Sequence, residues 1–209
     1  MDMPLVHDLI RIHTGSVSPA CVAKPDWVEQ SLESAPWVVV RRAQTTGGRI
    51  PVGVRGNERN QRWAGFIQQE QVERVVAPEA LRSKEVPRSR WYLPAVRALM
   101  TLEESLSGFG LPWGPGGSVG FELASGRPTI GFASDLDLIV RSPEPLEKTV
   151  AVELLEVASR APGRVDVRIE TPVGGFTLEE YCRSSTGSFL IRTSTGSLLL
   201  QDPRGMSQP

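Results

Sequence analysis

Apolar and polar residues alternate along this chain in short runs, and the period of each run predicts its element. Runs rich in Val, Ile and Trp at 37–42, 50–55 and 62–67 are separated by the turn-forming segments 45–48 and 56–60, which predicts a small antiparallel meander. Residues 69–76 place Val72, Val75 and Val76 at helical spacing, and Pro78 predicts a proline-started helical turn through Leu81. The segment 86–90 reads as a connector. Pro94 starts a helix whose Val96, Leu99, Met100 and Leu106 fall near one face, and Gly108 ends it. A glycine-rich loop at 114–117 precedes a short helix from Ser118 to about Ala124, and a strand follows that ends in 136–140. Ser142 and Pro143 form a cap and first turn for a helix reaching about Arg160, with Leu146, Val150, Leu154 and Val157 inward. Pro162 and Gly163 stop it. Residues 165–169 alternate as a strand, and 189–192 with 198–201 make a terminal hairpin around Ser194-Thr195-Gly196.

These elements predict an α+β fold in two parts. Residues 1–88 form a small N-terminal domain built on the meander, and 89–209 form a C-terminal domain with a mixed sheet. The chain has 209 residues, enough for one compact domain or two small ones. Its 20 glycines and 17 prolines punctuate it too often for a coiled coil or a helical solenoid. No apolar run approaches the roughly 18–20 residues that cross a bilayer. The N-terminal Met1-Asp2-Met3-Pro4-Leu5 lacks a basic and then apolar leader, so the cytoplasm is the expected location. Cys21 and Cys182 are too few for a disulfide framework and read as free thiols.

The net charge of −1 conceals an asymmetry. Residues 41–97 carry 12 basic side chains against 5 acidic ones, and 101–209 carry 9 against 14. Of the 23 basic residues 20 are arginines, whose planar fork suits phosphate or carboxylate, although a genome bias explains the ratio as simply. No basic stripe with interleaved aromatics points to single-stranded nucleic acid.

Three aspartates stand where strands should be apolar. In Ser134-Asp135-Leu136-Asp137-Leu138-Ile139-Val140 the alternation puts Asp135 and Asp137 on one face. Two carboxylates so placed repel, and a divalent cation with a preference for hard oxygen ligands, Mg²⁺ or Mn²⁺, relieves the repulsion most simply. Asp166, between Val165 and Val167, occupies an equivalent position, and if its strand neighbours the first, three carboxylates converge. The alternative is a solvated strand end. Gly117-Ser118 stands upstream at the start of a helix, where free amides, the helix dipole and a side-chain-free approach make a phosphate cradle.

Gly117-Ser118, Asp135-Leu136-Asp137-Leu138 and Val165-Asp166-Val167 together resemble the nucleotidyltransferase superfamily that includes DNA polymerase beta and aminoglycoside adenylyltransferases. More narrowly, 113–126 followed by Ser134-Asp135-Leu136-Asp137-Leu138 resembles the malonate decarboxylase holo-acyl carrier protein synthases, or phosphoribosyl-dephospho-CoA transferases. His7-Asp8-Leu9, Val39-Val40-Arg41-Arg42, 52–56 and 176–181 carry the resemblance over most of the chain. Many members of the superfamily have an arginine in the turn after Gly-Ser. Here Gly120 and Phe121 stand there, so the motif assigns no basic group to the leaving phosphates.

The resemblance implies a polymerase-beta-like nucleotidyltransferase domain in 89–209. It implies transfer of 2′-(5″-triphosphoribosyl)-3′-dephospho-CoA to a serine of the acyl carrier protein subunit of malonate decarboxylase, with pyrophosphate leaving. Asp135, Asp137 and Asp166 would then be catalytic and hold Mg²⁺ or Mn²⁺, with Asp166 nearest the attacking hydroxyl. Gly117 and Ser118 would hold the β- and γ-phosphates. Arg41, Arg42, Arg55, Arg59 and Arg62 would steer in an acidic carrier, grip the donor, or simply form a solvated face. His7 and His13 read as structural histidines, Cys182 as a small hydrophobe, and Trp113 as a core anchor or an adenine-stacking group. The rival functions are adenylylation of another small molecule or hydroxyl, and a silent module that only binds a carrier protein.

Overall fold

The computed structural model describes residues 3–13, 17–20, 23–45, 47–58, 60–184 and 187–201. Cys21 and Arg59 lie outside the described residues.

The first half builds an antiparallel sheet from Leu9–Ile12 (β1), Ser18–Pro19 (β2), Trp37–Val40 (β3), Ile50–Arg55 (β4), Arg62–Ile67 (β5) and Val72–Val76 (β6). Its order is β2-β5-β4-β3-β1-β6, so the expected meander β3-β4-β5 forms its middle. Helix α1 (Asp26–Ser34) packs Val28 against one face, over a core of Ile10, Val38, Ile50 and Val52. Residues 69–76 are not the helix that their spacing suggests. A single 3-10 turn at Gln69–Gln71 leads into β6, which pairs with β1 through Leu9↔Val76 and Ile10↔Val75. Three β-branched valines fit a pleated ladder better than a helix, and the open edge of β1 supplies the hydrogen bonds.

The helical turn Pro78–Leu81 (α2) links this sheet to the second half. There Trp113–Pro115 (β7), Leu136–Arg141 (β8), Val165–Glu170 (β9), Gly175–Thr177 (β10), Phe189–Thr193 (β11) and Gly196–Leu200 (β12) form a sheet in the order β12-β11-β10-β9-β8-β7. All pairs are antiparallel except β8 with β9, so the sheet is mixed and the fold is α+β. Helices Pro94–Ser107 (α3), Gly117–Ser125 (α4), Lys148–Ser159 (α5) and Leu178–Arg183 (α6) complete it. Among the described residues no helix is long and apolar enough to cross a membrane.

The alternation of β8 sends Leu136, Leu138 and Val140 into the core beneath α3 and α5, and leaves Asp137 and Ile139 on the opposite face. Helix α3 begins at Pro94 and is capped at Gly108 as expected, but Leu102 fills the core where Met100 was expected, and Met100 is exposed. Helix α5 starts at Lys148 rather than at Ser142. Ser142 and Glu144 each precede a proline, which disfavours helical backbone, and the Ser142 hydroxyl donates to the Glu144 carbonyl at 2.6 Å. Trp113 is buried beneath the Arg82 guanidinium, 4.3 Å from its ring, and packs into the core cluster of the second half. Burial pushes the half-buried Cys182 thiol up, away from thiolate chemistry.

A third apolar cluster, Leu9, Trp37, Val76 and Leu81 with Phe121 and Leu123 against it, joins the halves. There α2 lies so close on β7 that a Cβ on Gly114 would overlap the Pro78 carbonyl. Gly114→Ala is therefore expected to lower stability by about 1–3 kcal/mol, read as a lower urea midpoint, because the backbone must separate.

Candidate active site

The polar face of the second sheet and one face of the first sheet enclose a cleft of about 980 Å³. Into it the fold brings the catalytic candidates Asp135, Asp137 and Asp166, together with Gly117 and Ser118. Arg41, Arg42 and Arg55 enter from the opposite half.

The parallel register of β8 and β9 sets Asp137 directly beside Asp166. Asp135 precedes β8 by one residue and lines the same cleft as Asp137. Arg164 lies between the outer two, 4.0 Å from Asp135 and 3.6 Å from Asp166. Burial pushes the Asp137 carboxyl up; Asp166 and Asp135 add to the rise, while Arg168 and Arg62 oppose it. Among the described residues no three His, Cys, Asp or Glu side chains are gathered tightly enough to hold a metal ion as they stand.

Helix α4 begins against this row. The Gly116 amide donates to the Asp137 carbonyl at 2.8 Å, and Gly117 takes a left-handed φ of 55°. A Cβ on Gly117 would overlap the Asp137 carboxylate, so only glycine brings the helix N-terminus this close. Ser118 is buried in the first turn, and its carbonyl accepts the Thr129 hydroxyl at 2.8 Å. Glu122, one turn on, holds the loop leading to Asp135. It takes two hydrogen bonds from Arg90, at 2.8 and 3.0 Å, and the amides of Thr129 and Ile130 at 2.7 and 2.8 Å. Burial alone would raise this carboxyl, but those donors hold it below the ordinary range.

Residues 81–203 match the family described as phosphoribosyl-dephospho-CoA transferase MdcG C-terminal domain, and residues 5–78 match phosphoribosyl-dephospho-CoA transferase MdcG N-terminal domain. The chain belongs to the phosphoribosyl-dephospho-CoA transferase family. The phosphoribosyl-dephospho-CoA transferase of Pseudomonas aeruginosa is 40% identical over 202 residues, 96% of this chain and 93% of its own. That of Klebsiella pneumoniae strain 342 is 40% identical over 202 residues, 96% of each chain, and one from Pseudomonas putida is 39% identical over 203 residues, 97% of this chain and 96% of its own. No solved structure matches the chain.

In this transferase family member the cleft holds groups that the motifs do not mark. On β9 the positions Asp166, Arg168 and Glu170 alternate on the cleft face, and all three line it. The alternation was readable in Val165-Asp166-Val167-Arg168-Ile169-Glu170, but only the aspartate belongs to a recognisable pattern. Glu170 is buried and accepts from His7 Nε2 at 2.8 Å and from Arg42. His7 lines the cleft with Glu170 as its partner and is held at the unusual φ of 74°, whereas His13 is exposed. Arg42 lines the cleft while it is engaged with Glu170. Arg141, at the end of β8, donates to Glu79 at 2.6 Å and to Asp8 at 2.8 Å. Both ion-pair sets bridge the two halves and hold the walls in place.

Burial would raise the Glu170 carboxyl, but the His7 hydrogen bond and charge and the Arg42 guanidinium bring it below the ordinary glutamate range. A carboxyl lowered on folding stabilises the protein above the unfolded value and loses that contribution as pH falls through the folded one. Glu170→Gln should cost roughly 1.5–3 kcal/mol at neutral pH. In urea titrations the gap to the wild type should close as pH falls through and below the ordinary glutamate range.

Proposed function

We propose that this protein attaches a prosthetic group in the cytoplasm. It transfers 2′-(5″-triphosphoribosyl)-3′-dephospho-CoA to a serine of the apo acyl carrier protein subunit of malonate decarboxylase, forming a phosphodiester and releasing pyrophosphate. The observation that carries this reading is the shared row of Asp137 and Asp166 against the N-terminus of α4, in a chain of this transferase family. On this reading residues 89–209 are a polymerase-beta-like nucleotidyltransferase domain, and 1–88 supply the facing wall of the cleft.

The chemistry of the donors suits a hard divalent cation, although Asp135, Asp137 and Asp166 would have to draw together from where they stand to hold it. The donors are carboxylate oxygens, and the Asp137 carboxyl is raised by burial and by its negative neighbours, an unfavourable state that a cation relieves. Asp135, Asp137 and Asp166 would hold it. When bound, Mg²⁺ or Mn²⁺ supplies positive charge to the phosphates and lowers the pKa of the attacking hydroxyl. The chain's own groups do the rest. The first amides of α4, at Gly117 and Ser118, have no partner within the helix and donate to the β- and γ-phosphates. Asp166, with a side chain 37% exposed, faces the open side of the row and takes the serine proton. Arg41, Arg42 and Arg55 set a positive wall opposite, which suits an anionic donor and an acidic carrier surface.

The test is a mass spectrum of the apo carrier after incubation with this protein, Mg²⁺ and the triphosphoribosyl donor. The carrier should gain the mass of the phosphoribosyl-dephospho-CoA group, and an unchanged carrier overturns the reading. Asp137→Asn should abolish the gain. Gly117→Ala, which pushes the Asp137 carboxylate aside, should slow it by about 100-fold.

A further inference from the structure

The cleft face of β9 is a ladder of three charged rungs, Asp166, Arg168 and Glu170, each about 6.6 Å beyond the last. Across the parallel register they stand beside Asp137, Ile139 and Arg141 of β8. The last rung is fully engaged, because Glu170 holds His7 and Arg42 while Arg141 holds Asp8 and Glu79. The middle rung is different. Arg168 is half-buried beside the apolar Ile139, and among the described residues it makes no salt bridge or side-chain hydrogen bond.

A second guanidinium approaches from the other half. Arg62 on β5 lines the same cleft and is also without an ion pair among the described residues. Its cross-strand partner is Arg55, a like charge directly opposite. Arg168 from the second sheet and the exposed Arg62 from the first both line the cleft that holds the acidic row, and both charges act on Asp137. The amide cradle of α4, the carboxylate row and Arg168 therefore follow one another across β8 and β9.

We propose that Arg168 and Arg62, one from each sheet, form a cationic clamp on the phosphate chain of the donor, and that Arg168 neutralises the pyrophosphate as it departs. This rests on the transfer reading above. In that step the serine oxygen bonds to the α-phosphorus and the bond from this phosphorus to the bridging oxygen breaks. Pyrophosphate leaves with the bonding electron pair, and the hydroxyl proton passes to Asp166. Negative charge grows on the leaving group, and a planar fork that binds two oxygens at once meets it best. The clamp supplies the basic group that Gly120 and Phe121 do not.

Calorimetric binding of inorganic pyrophosphate and tripolyphosphate to the full chain tests the site apart from turnover. Arg168→Gln should weaken tripolyphosphate binding by about 10-fold or more, with Arg62→Gln acting in the same direction. The remote exposed variant Arg160→Gln should bind as the wild type does. In the transfer assay Arg168→Gln should lower kcat by about 10-fold or more at an unchanged KM for the carrier, and Arg168→Lys should recover part of it. Should Arg168→Gln not fold, Arg168→Lys carries the same comparison, as it keeps the charge but loses the fork. Undiminished tripolyphosphate binding in the Arg168 variants overturns the clamp, as does a defect confined to KM for the carrier, which would make this a carrier surface. If the wild type binds tripolyphosphate through Arg168 yet modifies no carrier, the clamp stands and the transfer reading falls.

Discussion

Parallel pairing of β8 with β9 places Asp137 beside Asp166, and the rest of the site follows from that one register. Two carboxylates held side by side, with a third one residue before the strand, create a concentration of negative charge that a folded protein does not tolerate without compensation. Burial compounds the difficulty by disfavouring the charged form of Asp137. The crossover through α5 makes the parallel pair possible, since strands of this orientation cannot be joined by a tight hairpin. The N-terminus of α4 then closes on the row through Gly117, whose missing side chain is the space the Asp137 carboxylate occupies. Amide donors and carboxylates meet at one place for steric reasons as much as electrostatic ones.

The facing wall is fixed by a different kind of contact. Arg141 reaches Asp8 and Glu79, Glu170 reaches Arg42 and His7, and the apolar cluster around Leu9, Trp37 and Leu81 lies at the same junction. Ion pairs with little solvent around them add modest net stability because desolvation offsets attraction, but losing one partner strands the other. Their effect is geometric. They set the arginines of the first sheet opposite the aspartates of the second, so the opposed charges of the two halves meet across one cleft.

The motifs Gly117-Ser118, Asp135-Leu136-Asp137 and Val165-Asp166-Val167 were legible because each is local, and two-residue alternation on a strand decides which face a side chain takes. The meander and the helix from Pro94 to Gly108 were legible for the same reason. Where local spacing was ambiguous, tertiary context decided. Val72, Val75 and Val76 satisfy a helical spacing, yet the open edge of β1 draws them into a strand. Trp113 stands next to the glycine loop in sequence, yet β7 turns it into the core under Arg82. Arg168 and Glu170 belonged to no pattern, and their importance comes from strands and loops far away along the chain.

By itself the amino-acid sequence determined the α+β class, the shared face of Asp135 and Asp137, the glycine turn before them and the family, since all of these depend on residue type and short spacing. Only the tertiary structure decided that β8 and β9 are neighbours in parallel. It also decided that Arg42 is bound to Glu170, while Arg168 and Arg62 line the same cleft as the aspartates. The physical reason is distance along the chain: Arg42 and Glu170 are 128 residues apart. No local periodicity encodes a contact of that span, which arises only when two separately packed sheets dock and their charges must find partners.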